Sequence, residues 1–405
     1  MRSKHKDCQA TRVILVRHGQ STYNALGLYQ GSSDESVLTQ LGRSDAQKTG
    51  EFLKGITFDA IYSSSLKRAQ ETAQEILKVI SCHTKLRVTD KLGETDLPAW
   101  QGLAFAYVRE TFPAEYCLWK QRPHEFWMER SGGLEGRGDK GTRGQGGLQK
   151  FFPALDLYQR VREFWQEVLP RHQGQTLLLV THGGTNRALI STALGITPDR
   201  YHCIQQSNCG ISVLNFPDGS LASGQLEAMN CNAHVGEHLP KPQEGGKGLR
   251  LLLVPEGTDA AQTQNIATFL QQVRIEFSLS SAIDSTQIAV QQILQHHRET
   301  VQIEVLRADI PEAWQIAITT RSTANSEQLI TGLMIASKTT IARLICRAIG
   351  KNLDQSEQLL LKTGTISCLQ YLGDRHPPIL QAMNFPTAQS DSILMSDLAT
   401  HTVLN

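Results

Sequence analysis

Val13-Ile14-Leu15-Val16-Arg17-His18-Gly19-Gln20-Ser21-Thr22-Tyr23-Asn24 is the stretch on which the reading of this chain turns. Four apolar residues run straight into an Arg-His-Gly turn. Such a run, bounded by glycine and polar residues, reads as a buried parallel strand. Ligands of open α/β sheets collect at the carboxyl ends of those strands, so this one delivers Arg17 and His18 to a ligand site. A basic strand end suits phosphate. A lone Arg-His-Gly is weak evidence, because a His beside an Arg is more often surface decoration. What the rest of the chain brings to the same sheet edge decides.

Two further segments repeat the design. Ala60 to Tyr62 precedes Ser63-Ser64-Ser65-Leu66-Lys67-Arg68, and Leu177 to Val180 precedes Thr181-His182-Gly183-Gly184. Helical spacing follows each, over Ala69 to Leu77 and Asn186 to Leu194. Strands alternating with helices predict an α/β fold, with all three strands ending at one sheet edge. Helix starts facing that edge offer unpaired N–H groups and a positive dipole end, which favours an anion.

Arg17, His18, Arg68 and His182 then form a basic cluster with no carboxylate among them, and such a cluster binds a phosphoryl group. Neutral His18 can attack phosphorus through one ring nitrogen if the other donates to a nearby carbonyl, and positive neighbours favour that neutral form. Arg17 and Arg68 can hold phosphoryl oxygens bidentately, and His182 can donate to the charge developing in transfer. Glycine at 19 and 183 allows close backbone approach. A leaving alkoxide needs a proton. Glu94, in Lys91-Leu92-Gly93-Glu94-Thr95-Asp96-Leu97-Pro98, is the first candidate donor and Asp96 its rival.

The chain has 405 residues, enough for two or three domains. Its 40 Lys and Arg balance 39 Asp and Glu, and no basic run with interleaved aromatics occurs, which argues against nucleic acid as a partner. Eight scattered cysteines lack zinc spacing and read as reduced cytosolic thiols, giving a cytoplasmic expectation. Apolar runs are short, so neither a signal-peptide core nor a membrane span is expected.

The organisation read from these patterns is a catalytic domain over 1–236, a linker over 237–248, a second domain over 249–388 and a polar tail over 389–405. Within the first, about 103–150 forms an insertion: a helical cap over Tyr107 to Trp127, or an extra core layer, then a glycine-rich, aperiodic stretch from about Arg130 to Gln149, with the insertion proper at Ser131 to Gly147, read as a mobile loop. The second domain repeats the first with its chemistry replaced. Glu256 stands 238 positions after His18, Ser285 stands 217 after Arg68, and Ser337 stands 155 after His182. The falling offsets mean that residues were lost between motifs, including those matching the cap and Glu94. This smaller copy is expected to be catalytically dead. Its use is open between a packing partner, the default, a dimerisation surface that would make a homodimer, and a degenerate allosteric site.

"LVRHGQSTYN", "YSSSLKRAQETA", "LGETDLPAWQG" and "THGGTNRAL", in this order, resemble the histidine phosphatase superfamily, in its phosphoglycerate-mutase-like branch. The resemblance implies a three-layer α/β sandwich with a mostly parallel sheet. It implies a phosphohistidine at His18, a phosphate pocket of Arg17, Arg68 and His182, Glu94 as acid and base, and no metal or other cofactor. It also sets Asn24, Gln30, Gly31 and the Gly183 backbone near phosphate or substrate. Within the branch, "QGSSDESVLTQLG" and "QSNCGISVLNF", followed by a decayed second domain, resemble the 2-carboxy-D-arabinitol-1-phosphatases of photosynthetic organisms, whose implied substrate is a sugar-acid phosphate that inhibits Rubisco. Three alternatives stand beside this: a phosphoserine phosphatase, a phosphoglycerate mutase-like enzyme, and a sensor or scaffold that binds phosphometabolites without turnover. The mutases of the superfamily usually follow the acid with Arg-His-Tyr-Gly, where this chain has Thr95-Asp96-Leu97-Pro98, which favours hydrolysis.

Overall fold

The structure, a computed structural model, describes residues 10–131, 148–243, 246–322, 328–373 and 376–388. The glycine-rich insertion beyond Ser131, the basic amino terminus before residue 10 and the tail beyond 388 lie outside the described residues. In chain order the first half runs β1 (Thr11–Arg17), α1 (Thr22–Leu26), α2 (Gln40–Leu53), β2 (Ala60–Ser64), α3 (Lys67–Ile80) and β3 (Leu86–Thr89). Next come α4 (Phe105–Thr111), α5 (Pro113–Gln121), β4 (Met128–Ser131), β5 (Leu148–Phe151) and α6 (Pro153–Arg171). It closes with β6 (Thr176–Thr181), α7 (Gly183–Ala193), β7 (Ile211–Phe216) and β8 (Gln225–Cys231).

β1, β6 and β2 are parallel neighbours, so Arg17, Thr181 and Ser64 reach one edge together. The unbroken apolar run of β1 reflects burial on both faces. Val13 and Leu15 pack with Val161, Trp165 and Leu189 of α6 and α7, while Ile14 and Val16 pack with Leu53, Ala73 and Ile76 of α2 and α3. Helices therefore cover both faces of the sheet, an α/β architecture whose sheet is parallel around β1, β6, β2 and β3 and antiparallel at β7 and β8.

The second half runs β9 (Gly248–Pro255), α8 (Ala260–Leu270), β10 (Phe277–Ser281), α9 (Asp284–Ile293), β11 (Val301–Val305) and α10 (Ile310–Ser322). β12 (Leu329–Ala336), α11 (Lys338–Ile349), β13 (Thr365–Tyr371) and β14 (Ile379–Pro386) complete it. One twelve-stranded sheet takes in both halves, in the order β11-β10-β12-β9-β13-β14-β8-β7-β1-β6-β2-β3. Pairing registers match between halves. Arg17 faces Thr181 as Pro255 faces Ala336, Ser63 faces Val180 as Ser280 faces Ile335, and Leu15 faces Ser212 as Leu253 faces Ser367.

The halves join edge to edge where β8 and β14 pair antiparallel at Met229 and Met383. Two buried asparagines, Asn230 and Asn384, both at φ 55°, brace this seam. Their bonds are reciprocal: Asn230 Nδ2 donates to the Gln381 carbonyl (2.7 Å) and Asn384 Nδ2 to the Glu227 carbonyl (2.6 Å). One apolar core on the α6–α7 face continues from Trp165 through Met229 and Met383 to Trp314 and Ile345.

Two readings need adjustment, and one strand was not read. The ends of the stretch read as an aperiodic loop are ordered, because β4 and β5 pair antiparallel with Arg130 opposite Gln149 and Ser131 opposite Leu148. Cross-strand pairing beside the buried Met128 and Phe151 supplies order that glycine content does not signal. Gly248, assigned to the linker, is the first residue of β9, opposite Leu329. β3, only four residues long and half-exposed, carries no apolar run that would have announced it. The aromatic stretch does form two helices, α4 and α5. Among the described residues no helix is long and apolar enough to cross a membrane.

Asn384→Ala should test the seam. Asn384 Oδ1 also accepts from the Lys362 N–H (3.0 Å), and its Nδ2 donates to the Leu360 carbonyl (2.7 Å), so truncation strands buried partners and leaves alanine in the left-handed region. A loss of about 3 kcal/mol is expected, read as a lower midpoint in urea or heat.

Candidate active site

The parallel edge assembles the basic cluster. His18 follows β1, Arg68 lies in the first turn of α3 after β2, and His182 is the N-cap of α7 after β6. His18 is 1% exposed, and Arg68 and His182 are fully buried. The two imidazoles lie 5.2 Å apart, centroid to centroid. His18 Nδ1 donates to the Gly19 carbonyl (2.8 Å), which fixes the proton on Nδ1 and leaves Nε2 as a bare lone pair. Burial first, then Arg68 and Arg17, hold His18 well below the usual histidine range, so the ring is neutral at neutral pH.

His182 is held low by burial and by Arg68, His18 and Arg17. Its Nε2 meets Ser64 Oγ at 2.7 Å, and that oxygen already accepts from the Leu66 N–H (3.2 Å). With the hydroxyl proton given to Nε2, Nδ1 carries the ring proton and is a donor. Arg17 and Arg68 are each brought down to about 10 by burial, which leaves both charged. Arg17 Nη1 donates to the Gln206 carbonyl (2.6 Å); Arg68 donates to the carbonyls of Ser33 (2.8 Å) and Gly31 (2.9 Å). Arg17 Nε, Arg68 Nε and His182 Nδ1 are buried without a protein partner. Buried donors normally find acceptors, so three orphans in one cluster mark a place for an anion.

A cleft of about 530 Å³ meets this cluster at Arg17 and is lined also by Asn24, Gln30, Gly31, Glu94 and Gly183, whereas His18, Arg68 and His182 are not in its lining. Glu94 separates from its rival here. Its Oε2 accepts from the Gly184 N–H at the start of α7 (3.1 Å) and its Oε1 from the Thr95 N–H (2.7 Å). Asp96 lines no part of the cleft and instead accepts from Ser32 Oγ (2.7 Å) and Gln101 Nε2 (3.3 Å), a loop brace. Gly184 must be glycine, because a Cβ there would stand 2.3 Å from each of Glu94 Oε1, Thr95 Oγ1 and Tyr201 OH. Asn24 and Gln30 are tied through Ser21 Oγ, which reaches Asn24 Oδ1 (3.1 Å) and Gln30 Oε1 (2.8 Å).

The cleft also contains residues that sequence reading did not single out. Tyr29 and Phe105 pack ring to ring at 4.7 Å, Tyr116 and Trp119 come from α5, and Arg109, Lys120 and Arg187 add positive charge. Arg187 sits inside the motif that begins at Thr181, one helical turn after Gly183, a spacing that could have flagged it. Gln243, 149 positions from Glu94 in the chain, gave no local signal.

At the matching edge of the second half the chemistry differs. Glu256 Oε1 accepts from Ser281 Oγ (3.0 Å) and Thr286 Oγ1 (3.4 Å), and its Oε2 pairs with Arg307 (2.5 Å). The carboxylate is satisfied there by its own surroundings. No group of three or more His, Cys, Asp or Glu among the described residues is placed to hold a metal ion.

The model of the histidine phosphatase superfamily (branch 1) matches residues 13–231. The chain is 35% identical over 205 residues to a "Probable 2-carboxy-D-arabinitol-1-phosphatase" of Arabidopsis thaliana, covering 51% of this chain and 38% of that protein. It is 35% identical over 226 residues to the "2-carboxy-D-arabinitol-1-phosphatase" of Triticum aestivum, covering 55% and 41%. The chain thus spans about two fifths of the length of either plant protein. It is 29% identical over 226 residues to "Phosphoserine phosphatase 1" of Hydrogenobacter thermophilus, covering 56% of this chain and 95% of that protein.

The neutral histidines give stability a pH dependence. With folded pKa values below the unfolded value of about 6.5, His18 and His182 leave the unfolded chain binding more protons in acid. Their contribution is therefore full above pH 6.5 and declines below it, by up to about 1.4 kcal/mol per pH unit for each ring. Guanidinium unfolding at pH 7.5, 6 and 5 should show this fall, and His182→Gln should make it shallower by one such increment.

Proposed function

The chain belongs to the histidine phosphatase superfamily, branch 1, and from that premise we propose that it hydrolyses phosphate monoesters through a phosphohistidine at His18. The observation that carries the reading is the bare Nε2 of His18, freed by the Nδ1 bond to the Gly19 carbonyl and standing among buried cations. Nε2 attacks phosphorus while Arg17, Arg68 and His182 take the non-bridging oxygens. The bond to the ester oxygen breaks, and Glu94, on the cleft beside α7, gives that oxygen its proton. Glu94 then accepts a proton from water as the water oxygen attacks the phosphohistidine, releasing phosphate and restoring His18. Arg17 and Arg68 supply the positive charge and His182 a neutral donor, so no metal is required. Asn24, Gln30, Gly31 and the Gly183 backbone line the path of the ester.

The substrate we propose, supported by the likeness to the plant proteins, is a small phosphorylated sugar acid such as 2-carboxy-D-arabinitol 1-phosphate, or a related sugar bisphosphate. The catalytic unit is residues 1–236, joined through 237–247 to a copy that begins with β9 at Gly248, runs to 388 and has lost the chemistry. Matching registers and offsets support the duplication, and Glu256, bound by Arg307, supports the loss.

His18→Ala should abolish release of phosphate from p-nitrophenyl phosphate, and Arg68→Ala should lower kcat/KM by several orders of magnitude. Acid-labile, base-stable phosphate should be trapped on the wild-type protein by a quench during turnover. A variant without His18 that keeps near-normal turnover overturns the mechanism.

EDTA should leave the rate unchanged, whereas loss restored by Mg²⁺ or Mn²⁺ would contradict the metal-free reading. Among natural esters, kcat/KM should favour 2-carboxy-D-arabinitol 1-phosphate over phosphoserine and 3-phosphoglycerate. Preference for phosphoserine would reject the substrate and leave the histidine chemistry standing.

A further inference from the structure

The cleft has a second end. Lys120 of α5, Arg187 of α7, His202 and Gln243 line it, and the same four line an adjoining chamber of about 40 Å³. The outer wall of that chamber includes Leu372, His376, Pro377 and Ile379, from the β13–β14 connection and the start of β14. The second half therefore closes the far end of a site whose phosphate end belongs wholly to the first half.

Gln243 lies in the connection between the halves, and buried side chains of the second half hold it in place. Its N–H donates to Gln370 Oε1 (2.9 Å), and Gln370 Nε2 donates back to the Gln243 carbonyl (3.2 Å). Gln381 Nε2 donates to the same Gln370 Oε1 (2.9 Å), and Arg250 Nε to Gln381 Oε1 (3.1 Å). Arg250 Nη2 in turn takes the Pro240 carbonyl (2.7 Å). Gln370 and Gln381 are fully buried and Arg250 nearly so. A satisfied buried network of this kind is rigid, so the wall it positions has one shape.

The charge at this end is positive. Among the described residues lining the cleft Glu94 is the one carboxylate, and it is committed to the first turn of α7. Arg187 Nε donates to the Ile204 carbonyl (2.7 Å), its guanidinium 5.7 Å from the Tyr201 ring centre, and it has no carboxylate partner within ion-pair distance among the described residues. Burial, then Lys120 and Arg187, hold His202 well below the usual histidine range. The ring donates to the Trp119 backbone carbonyl and leaves Nε2 buried without a partner. A neutral imidazole bound in this way offers Nε2 as an acceptor for a hydroxyl.

We propose that this end, walled by the second half, is a subsite for a second anionic group of the substrate, a carboxylate or second phosphate, on Lys120 and Arg187. His202 Nε2 accepts a substrate hydroxyl there. The assignment rests on the phosphatase reading above and narrows it to esters that carry a second anion on a hydroxylated chain. It also gives the catalytically silent half a use: Gln370 and Gln381 are positioning residues for the specificity wall.

The test uses the full chain and compares kcat/KM for 2-carboxy-D-arabinitol 1-phosphate and ribulose 1,5-bisphosphate with that for p-nitrophenyl phosphate. The wild type should prefer at least one of the two-anion esters by tenfold or more. Lys120→Gln should reduce that ratio about tenfold and Gln370→Leu about threefold, in both cases through KM rather than kcat. A loss of fold in the buried Gln370→Leu variant shows in its thermal melt, and the partly exposed Lys120→Gln then decides. A wild-type ratio near one, or equal losses on all three esters, overturns the subsite and leaves the phosphatase reading intact. Turnover of none of them overturns both.

Discussion

Parallel pairing of β1 with β6 and of β6 with β2 is the constraint on which everything else rests. It sends three chain segments to one edge at the same level, Arg17 opposite Thr181 and Ser63 opposite Val180. A slip of one residue would turn every side chain to the other face. Here the slip is opposed by apolar contacts on both faces, since Ile14 and Val16 are committed to one helical layer and Val13 and Leu15 to the other. His18 and His182 inherit their 5.2 Å separation from that register.

Such an edge concentrates positive charge where solvent cannot reach it. Desolvation is the largest influence on Arg17, Arg68, His18 and His182 alike, and the two kinds of side chain answer it differently. The arginines keep their charge and recover part of the loss by binding backbone carbonyls; the histidines give theirs up. Arg68 thereby does two things, since its bonds to Gly31 and Ser33 also fix the loop that carries Gln30 and Gly31 to the cleft. Stability is spent on holding unpaired donors, and an anion is what would recover it.

The second half completes the sheet rather than sitting beside it. β8 would be an edge strand without β14, and the core on the α6–α7 face would be cut at Met229. Exposed edges and apolar faces invite association, so the pairing protects the first half. The strand ends of the second half carry other side chains than those of the first. Glu256 can turn inward to Ser281, Thr286 and Arg307, and the β13–β14 connection can lean over the neighbouring cleft.

Much of this was legible in the sequence because it depends on short-range pattern. Apolar runs of four residues, each followed by a polar turn and a helical period, declared β1, β2 and β6, and the basic residues at their ends declared the cluster. Offsets between Glu256 and His18, or Ser337 and His182, carried the internal likeness, since strands of one register need the same spacing. Sequence alone put Glu94 first and kept Asp96 as its rival. The fold separated them, because only Glu94 lies where the first N–H groups of α7 open. The β4–β5 pairing, the reciprocal asparagines of the seam and the approach of Gln243 to a cleft in the other half were likewise decided in three dimensions. Each joins residues far apart in the chain, and no local propensity records which distant backbone or side chain will satisfy a buried polar group.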